Sequence, residues 1–102
     1  NNSIYITHNP QEAAEGANCI ITDTWRSMGD KSPLPEDQFI PFQVNEKIME
    51  LADKNAIFMH CLPAYRNQEV SSEVLEGSQS VVFDEAENRL HAQKAIMQFC
   101  LK

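Results

Sequence analysis

Basic residues are scarce in this chain. Lys and Arg number 8 against 15 Asp and Glu, a formal net charge of −7. No local run of Lys or Arg offsets the balance. The basic patch that nucleic acid or an anionic membrane surface requires is therefore missing, and neither is expected as a partner. No apolar stretch approaches the roughly 20 residues of a membrane-spanning helix. The chain shows no secretory signal and no initiator Met, and it opens Asn1-Asn2-Ser3 just ahead of a predicted strand. The expectation is a piece of a longer protein. Cysteine is sparse and odd in number: Cys19, Cys61 and Cys100, widely spaced. That argues against a disulfide framework and for a reducing compartment. No two cysteines have metal-ligand spacing, so no zinc site is expected. Internal repeats and low-complexity segments are also lacking.

What is present suits one small α/β domain. The chain has 102 residues, 42% of them apolar, which makes it globular with a modest core. Ser3 to Thr7 alternates and is β-branched and aromatic, a predicted strand. Asn9-Pro10-Gln11-Glu12 then opens a helix, with Asn9 as N-cap and Gly16 as its end. Cys19 to Thr22 reads as a second strand that stops at Asp23. Lys31 to Pro41 holds three prolines and little periodicity, and is predicted as a long loop. Asn45 to Lys54 is predicted helical, with Ile48, Met49, Leu51 and Ala52 on its apolar side.

The apolar run Ala56 to Met59 reads as a central strand buried on both faces. It ends at Pro63, which places His60 and Cys61 at its carboxyl end. Ala64 to Val70 is a polar loop. Ser72 caps a short helix through Leu75, closed by Gly77. Ser80 to Phe83 reads as a fourth strand. A last helix begins near Glu85, with Ala92, Ala95, Ile96 and Phe99 on one side. Strands alternating with helices imply a parallel sheet with flanking helices, part of a doubly wound, Rossmann-like fold. In such sheets ligands bind beyond the carboxyl ends of the strands. Asp23 to Met28, His60-Cys61 and Asp84 to Arg89 should converge at that edge.

Each of these groups has a plain structural alternative. Asp23 suits an amine or a turn cap. Ser27 with the Met28-Gly29 backbone suits a carboxylate, because a glycine-bearing turn exposes N–H groups, or is an ordinary turn. Gly29 is a natural hinge, and Trp25 an anchor packed on the domain. Cys61 suits a nucleophile, a hydrogen-bonding thiol or a small buried hydrophobe. Neighbours on a strand face opposite ways, which argues against a His60–Cys61 pair. Arg89 suits an oxyanion or phosphate, or an ion pair with Glu85 or Glu87. Cys19 and Cys100 are expected in the core, and His8 and His91 at the surface or in packing. Arg66 is expected as a solvated loop residue or a partner for an acidic side chain. Together the edge offers a carboxylate, a hydroxyl, a thiol and a guanidinium, a set suited to an amino acid and an anionic co-substrate.

Three segments together resemble the ornithine carbamoyltransferase family: Asp23-Thr24-Trp25-Arg26-Ser27-Met28-Gly29, His60-Cys61-Leu62-Pro63-Ala64 and Phe83-Asp84-Glu85-Ala86-Glu87-Asn88-Arg89. The resemblance spans essentially the whole chain, 1–102, and looks like the later part of the family's second, ornithine-binding domain. It implies transfer of a carbamoyl group from carbamoyl phosphate to the δ-amine of L-ornithine, giving L-citrulline and phosphate. It implies that Asp23, Ser27 and the Met28 backbone bind ornithine. It implies that Cys61, Leu62 and Arg89 meet carbamoyl phosphate, with Cys61 and Arg89 as the catalytic pair. The loop with Ser27-Met28-Gly29 would close over ornithine. No metal or organic cofactor, a homotrimeric parent and a cytoplasmic place (the mitochondrial matrix in an animal) are also implied. The family's Ser-Thr-Arg-Thr and His-Pro segments, which grip carbamoyl phosphate, do not occur in this sequence. One local departure is Arg26, where an apolar residue is more usual.

Overall fold

A computed structural model describes residues 3–102 of the chain. Its centre is a pair of parallel strands, β1 (Cys19–Thr22) and β2 (Ile57–His60), in register from Cys19 opposite Ile57 to Thr22 opposite His60. Both strands therefore end at the same edge. The chain after β1 leads straight into Asp23, and the chain after β2 straight into Cys61. Flanking helices complete the α/β architecture: α1 (Pro10–Ala14), α2 (Glu36–Phe39) with a 3₁₀ turn at Ile40–Phe42, α3 (Glu46–Leu51), α4 (Ser72–Leu75) and α5 (Val82–Cys100).

The helix starts follow local chemistry. Asn9 accepts from the N–H groups of Gln11 and Glu12, and Pro10 takes the first helical position, where a missing N–H costs nothing. Asn45 caps α3 through the Ile48 N–H. Ser71, not Ser72, caps α4, by accepting from the Val74 N–H. The core lies between β2, α3 and α4 and gathers Ala14, Val44, Ile48, Met49, Phe58, Val70, Val74, Leu75 and Val82. Phe58, at 0% exposure, is its centre.

Several predicted elements are corrected. Residues 3–7 form no strand, and Ile4, Tyr5 and Ile6 lie exposed. A strand needs a neighbour for its N–H and C=O groups, and no β-pairing reaches this segment among the described residues. The Tyr5 and Thr7 hydroxyls instead donate to the Glu12 carboxylate. The predicted fourth strand shrinks to one bridge, Ser80 opposite Phe58, held by Phe58 N–H to Gln79 O and Val81 N–H to Phe58 O. The last helix takes over at Val82, three residues before the predicted start, because Val82 packs into the core. β2 is not buried on both faces: Ile57 is exposed while Phe58 and His60 are buried. The predicted long loop at 31–41 contains α2 and the start of the 3₁₀ turn. The predicted helix at 45–54 is ordered only over Glu46–Leu51.

The largest departure is α5. Its 19 residues extend about 28 Å, and from Ala86 onward every residue is exposed. The predicted apolar side, Ala92, Ala95, Ile96 and Phe99, is exposed, and Cys100 is exposed rather than in the core. The radius of gyration, 15.7 Å, exceeds the about 13 Å of a compact domain of this length. A helix standing away from the core accounts for the excess.

Candidate functional site

The carboxyl edge of the two strands brings Asp23 and Cys61 together. Residues 38 apart in sequence meet because Thr22 and His60 are opposite partners across the ladder. The Cys61 thiol donates to Asp23 Oδ1 at 3.2 Å, and the Thr24 N–H donates to the same oxygen at 2.7 Å. Those donors favour the ionised carboxylate. Asp23 is held below the ordinary carboxylate range, first by the Thr24 amide and then by the Cys61 thiol. The Cys61 thiol is pushed the other way, first by its bond to Asp23 and then by burial. A thiol that donates to a carboxylate resists ionisation, so Cys61 is a hydrogen-bonding group and not an activated nucleophile.

Nor does an imidazole assist it. His60 is buried at 1% exposure, while Cys61 is exposed, and both ring nitrogens are engaged elsewhere. Its Nδ1 accepts from the Leu62 N–H and its Nε2 meets Glu69 Oε1, both at 2.8 Å. The ligand atoms of Asp23, His60 and Cys61 lie within 4.8 Å of one another, close enough to hold a metal ion. With both ring nitrogens engaged, however, the imidazole offers no free ligand atom unless the Leu62 or Glu69 contact is broken.

A cavity of about 290 Å³ adjoins the Asp23–Cys61 pair, lined by Asp23, Thr24, Arg26, Ser27, Met28, Leu62, Pro63 and Tyr65. The Ser27 to Asp30 turn forms one wall. It closes through Asp30 N–H to Ser27 O, and Gly29 takes a φ of 86° that a side chain would resist. A second cavity of about 280 Å³ adjoins the same turn, also lined by Arg26, Ser27 and Met28. Trp25 stacks on Phe39 with ring centroids 5.5 Å apart and anchors the loop behind it. On the opposite wall the chain bends sharply: Leu62 has a φ of 60° and the Leu62–Pro63 bond is cis.

Asp23, Ser27, Met28 and Leu62 therefore line one cavity, with Cys61 against Asp23. Arg89 does not line it. Arg89 is exposed on α5 and forms no ion pair among the described residues; Glu87 pairs with His91, and Glu85 Oε2 accepts from the His60 backbone N–H. That last bond ties the start of α5 to the end of β2. Arg66 pairs with Glu76 at 3.0 Å on the surface. One group at this edge escaped the sequence reading, Glu69. Glu69 sits in what reads as a polar loop, yet it is 0% exposed; the one available signal is its place immediately before Val70, a core residue.

The family model for aspartate/ornithine carbamoyltransferase, Asp/Orn binding domain, matches residues 1–100. The ornithine carbamoyltransferase of Rhodopseudomonas palustris is 60% identical over 100 residues, covering 97% of this chain and 32% of the relative. The crystallised ornithine carbamoyltransferase from Pyrococcus furiosus superposes with a TM-score of 0.81 at 48% identity, over 88% of this chain and 29% of that one. N-acetyl-L-ornithine transcarbamylase superposes with a TM-score of 0.73 at 38% identity, over 89% and 29%. The chain spans about a third of the length of its curated relatives. Across nearly its whole length, then, this chain belongs to the aspartate/ornithine carbamoyltransferase family.

Proposed function

We propose that this chain is the later part of the ornithine-binding domain of an ornithine carbamoyltransferase, and that the full-length protein makes L-citrulline and phosphate from L-ornithine and carbamoyl phosphate. One observation carries the reading: Asp23, bonded to Cys61, lines one cavity together with Ser27 and Met28. A carboxylate suits an ammonium group of the amino acid, and Ser27 with the Met28 backbone suits its α-carboxylate. An α-carboxylate is what separates ornithine from a plain diamine such as putrescine.

The δ-amine attacks the carbonyl carbon of carbamoyl phosphate in its neutral form. The new N–C bond forms, the C–O bond to phosphate breaks, and the phosphate leaves with the electron pair and takes up the proton that the amine nitrogen loses. Cys61 lies near the amine and, with the Leu62 backbone, touches the carbamoyl group without forming a bond to it. The raised thiol supports that role. Arg89 helps hold carbamoyl phosphate and balances charge on its carbonyl oxygen, which requires α5 and the remainder of the protein to bring the guanidinium to the cavity. Orientation and oxyanion stabilisation then carry the catalysis. The Ser27–Asp30 turn closes over the acceptor and excludes water. The reading brings with it a homotrimeric parent in the cytoplasm, serving arginine synthesis or, in reverse, arginine breakdown.

The test is carbamoyl transfer by the full-length protein, with L-ornithine, N-acetylornithine, putrescine and aspartate as parallel acceptors. Citrulline formation with ornithine preferred is the expected result. Preference for N-acetylornithine would reassign the acceptor. Transfer to none of them by a folded protein would leave an amino-acid-binding module.

A further inference from the structure

The end of β2 and the loop after it carry two buried polar residues to which the transfer chemistry assigns no part. His60 and Glu69 are 1% and 0% exposed. Burying a carboxylate is costly, and an apolar residue would fill the same space at lower cost. Glu69 Oε1 is well supplied, with His60 Nε2 and the Tyr65 N–H each at 2.8 Å. Glu69 Oε2 is buried and meets no donor among the described residues. A carboxylate held at one oxygen while the other goes unpaired is a poor packing device. It is a good means of orienting an imidazole.

The orientation is legible. Because the Leu62 N–H donates to His60 Nδ1, that nitrogen carries no proton, and the ring N–H is on Nε2 and points at Glu69. Leu62 needs the support. It is a bulky residue in the left-handed region, a conformation that persists only where its surroundings impose it. It follows Cys61 directly and lines the cavity with Pro63.

We infer that Glu69 and His60 are positioning residues: Glu69 orients the imidazole, the imidazole holds the Leu62 N–H, and the left-handed Leu62 sets the Cys61–Leu62 backbone against the substrate. The catalytic consequence rests on the carbamoyl-transfer reading. The conformational part rests on the geometry alone.

Two isosteric halves of histidine separate this role from core packing. His60→Asn keeps an acceptor near the Nδ1 position, whereas His60→Gln keeps a donor near the Nε2 position. In the full-length protein, His60→Gln should lower kcat roughly 10- to 100-fold, the scale expected when reacting groups are misplaced by about 1 Å. KM for both substrates should change little. His60→Asn should recover most of the kcat loss, although it gives up the Glu69 contact and melts at a lower temperature. Hydrogen exchange at the Leu62 amide, read by fragmentation mass spectrometry, should stay slow in His60→Asn and become fast in His60→Gln. Equal kcat losses in the two variants, or a Leu62 amide that stays protected in His60→Gln, would overturn the inference. If the wild-type protein transfers to no acceptor, the functional reading fails by itself, and Leu62 exchange alone decides the positioning role. Glu69→Ala against Glu69→Gln supplies the same contrast should the His60 variants not fold. Gln keeps an acceptor oxygen for both donors, so it should restore activity and amide protection that Ala loses.

Discussion

Cys61 shows how much one contact decides at the scale of a residue. A cysteine at a strand end suggests a nucleophile, but its thiol donates to a carboxylate and both nitrogens of the neighbouring imidazole are engaged by Leu62 and Glu69. Its titration is therefore displaced upward. As pH rises, the reactive thiolate forms later than in an ordinary cysteine, so the half-point of alkylation should lie at higher pH. Iodoacetamide labelling at neutral pH should be slower at Cys61 than at Cys100, which is also exposed. Asp23→Asn should move the Cys61 half-point down. An unchanged half-point would mean that Asp23 does not control the thiol. In the full-length protein, Asp23→Asn should raise KM for ornithine far more than KM for carbamoyl phosphate; equal losses would show that Asp23 is misassigned. Cys61→Ser should lower activity without abolishing it, because a hydroxyl can still donate to Asp23. A well-folded but inactive Cys61→Ser protein would restore the nucleophile reading.

Elements whose signals are local appear where they were predicted. Asn9 and Asn45 cap helices through side-chain oxygens a few residues from the amides they satisfy. Asn45→Ala should cost about 1 kcal/mol, measured by denaturant unfolding. β1 matches its predicted span, since its β-branched run is bounded by Asp23. β2 matches within a residue. Phe58→Ala should cost about 3–5 kcal/mol, because its ring is fully enclosed and the cavity left behind cannot collapse completely. A loss below about 1 kcal/mol would place Phe58 outside the core. Residues 3–7 failed as a strand for the opposite reason: their strand propensity was real, but pairing depends on a neighbour, whereas 80–83 found one at Ser80 and then gave way to the helix that seats Val82 in the core. A strand sequence without a partner has nowhere to send its backbone groups.

For the molecule as a whole, the exposed apolar surface is the governing feature. Ile4, Tyr5 and Ile6 near the start of the chain, Leu90, Ile96, Met97 and Phe99 on α5, and Leu101 just after it are all open to solvent. Exposed apolar surface of that extent favours association. The chain alone should sediment as a concentration-dependent mixture, and should form no citrulline; a clean monomer or detectable transfer by these 102 residues would contradict this. From the sequence by itself came the α/β alternation, the parallel pairing, the edge at which Asp23 and Cys61 meet, and the turn around Gly29. These follow from periodicity, caps and turn chemistry within a few residues, and from the rule that parallel strands end on one side. The tertiary structure alone decided that the thiol is bonded to Asp23, that Arg89 stands apart, and that Glu69 is buried against His60. Those depend on which distant side chains share a place once the backbone is folded, and no local pattern in a sequence encodes that.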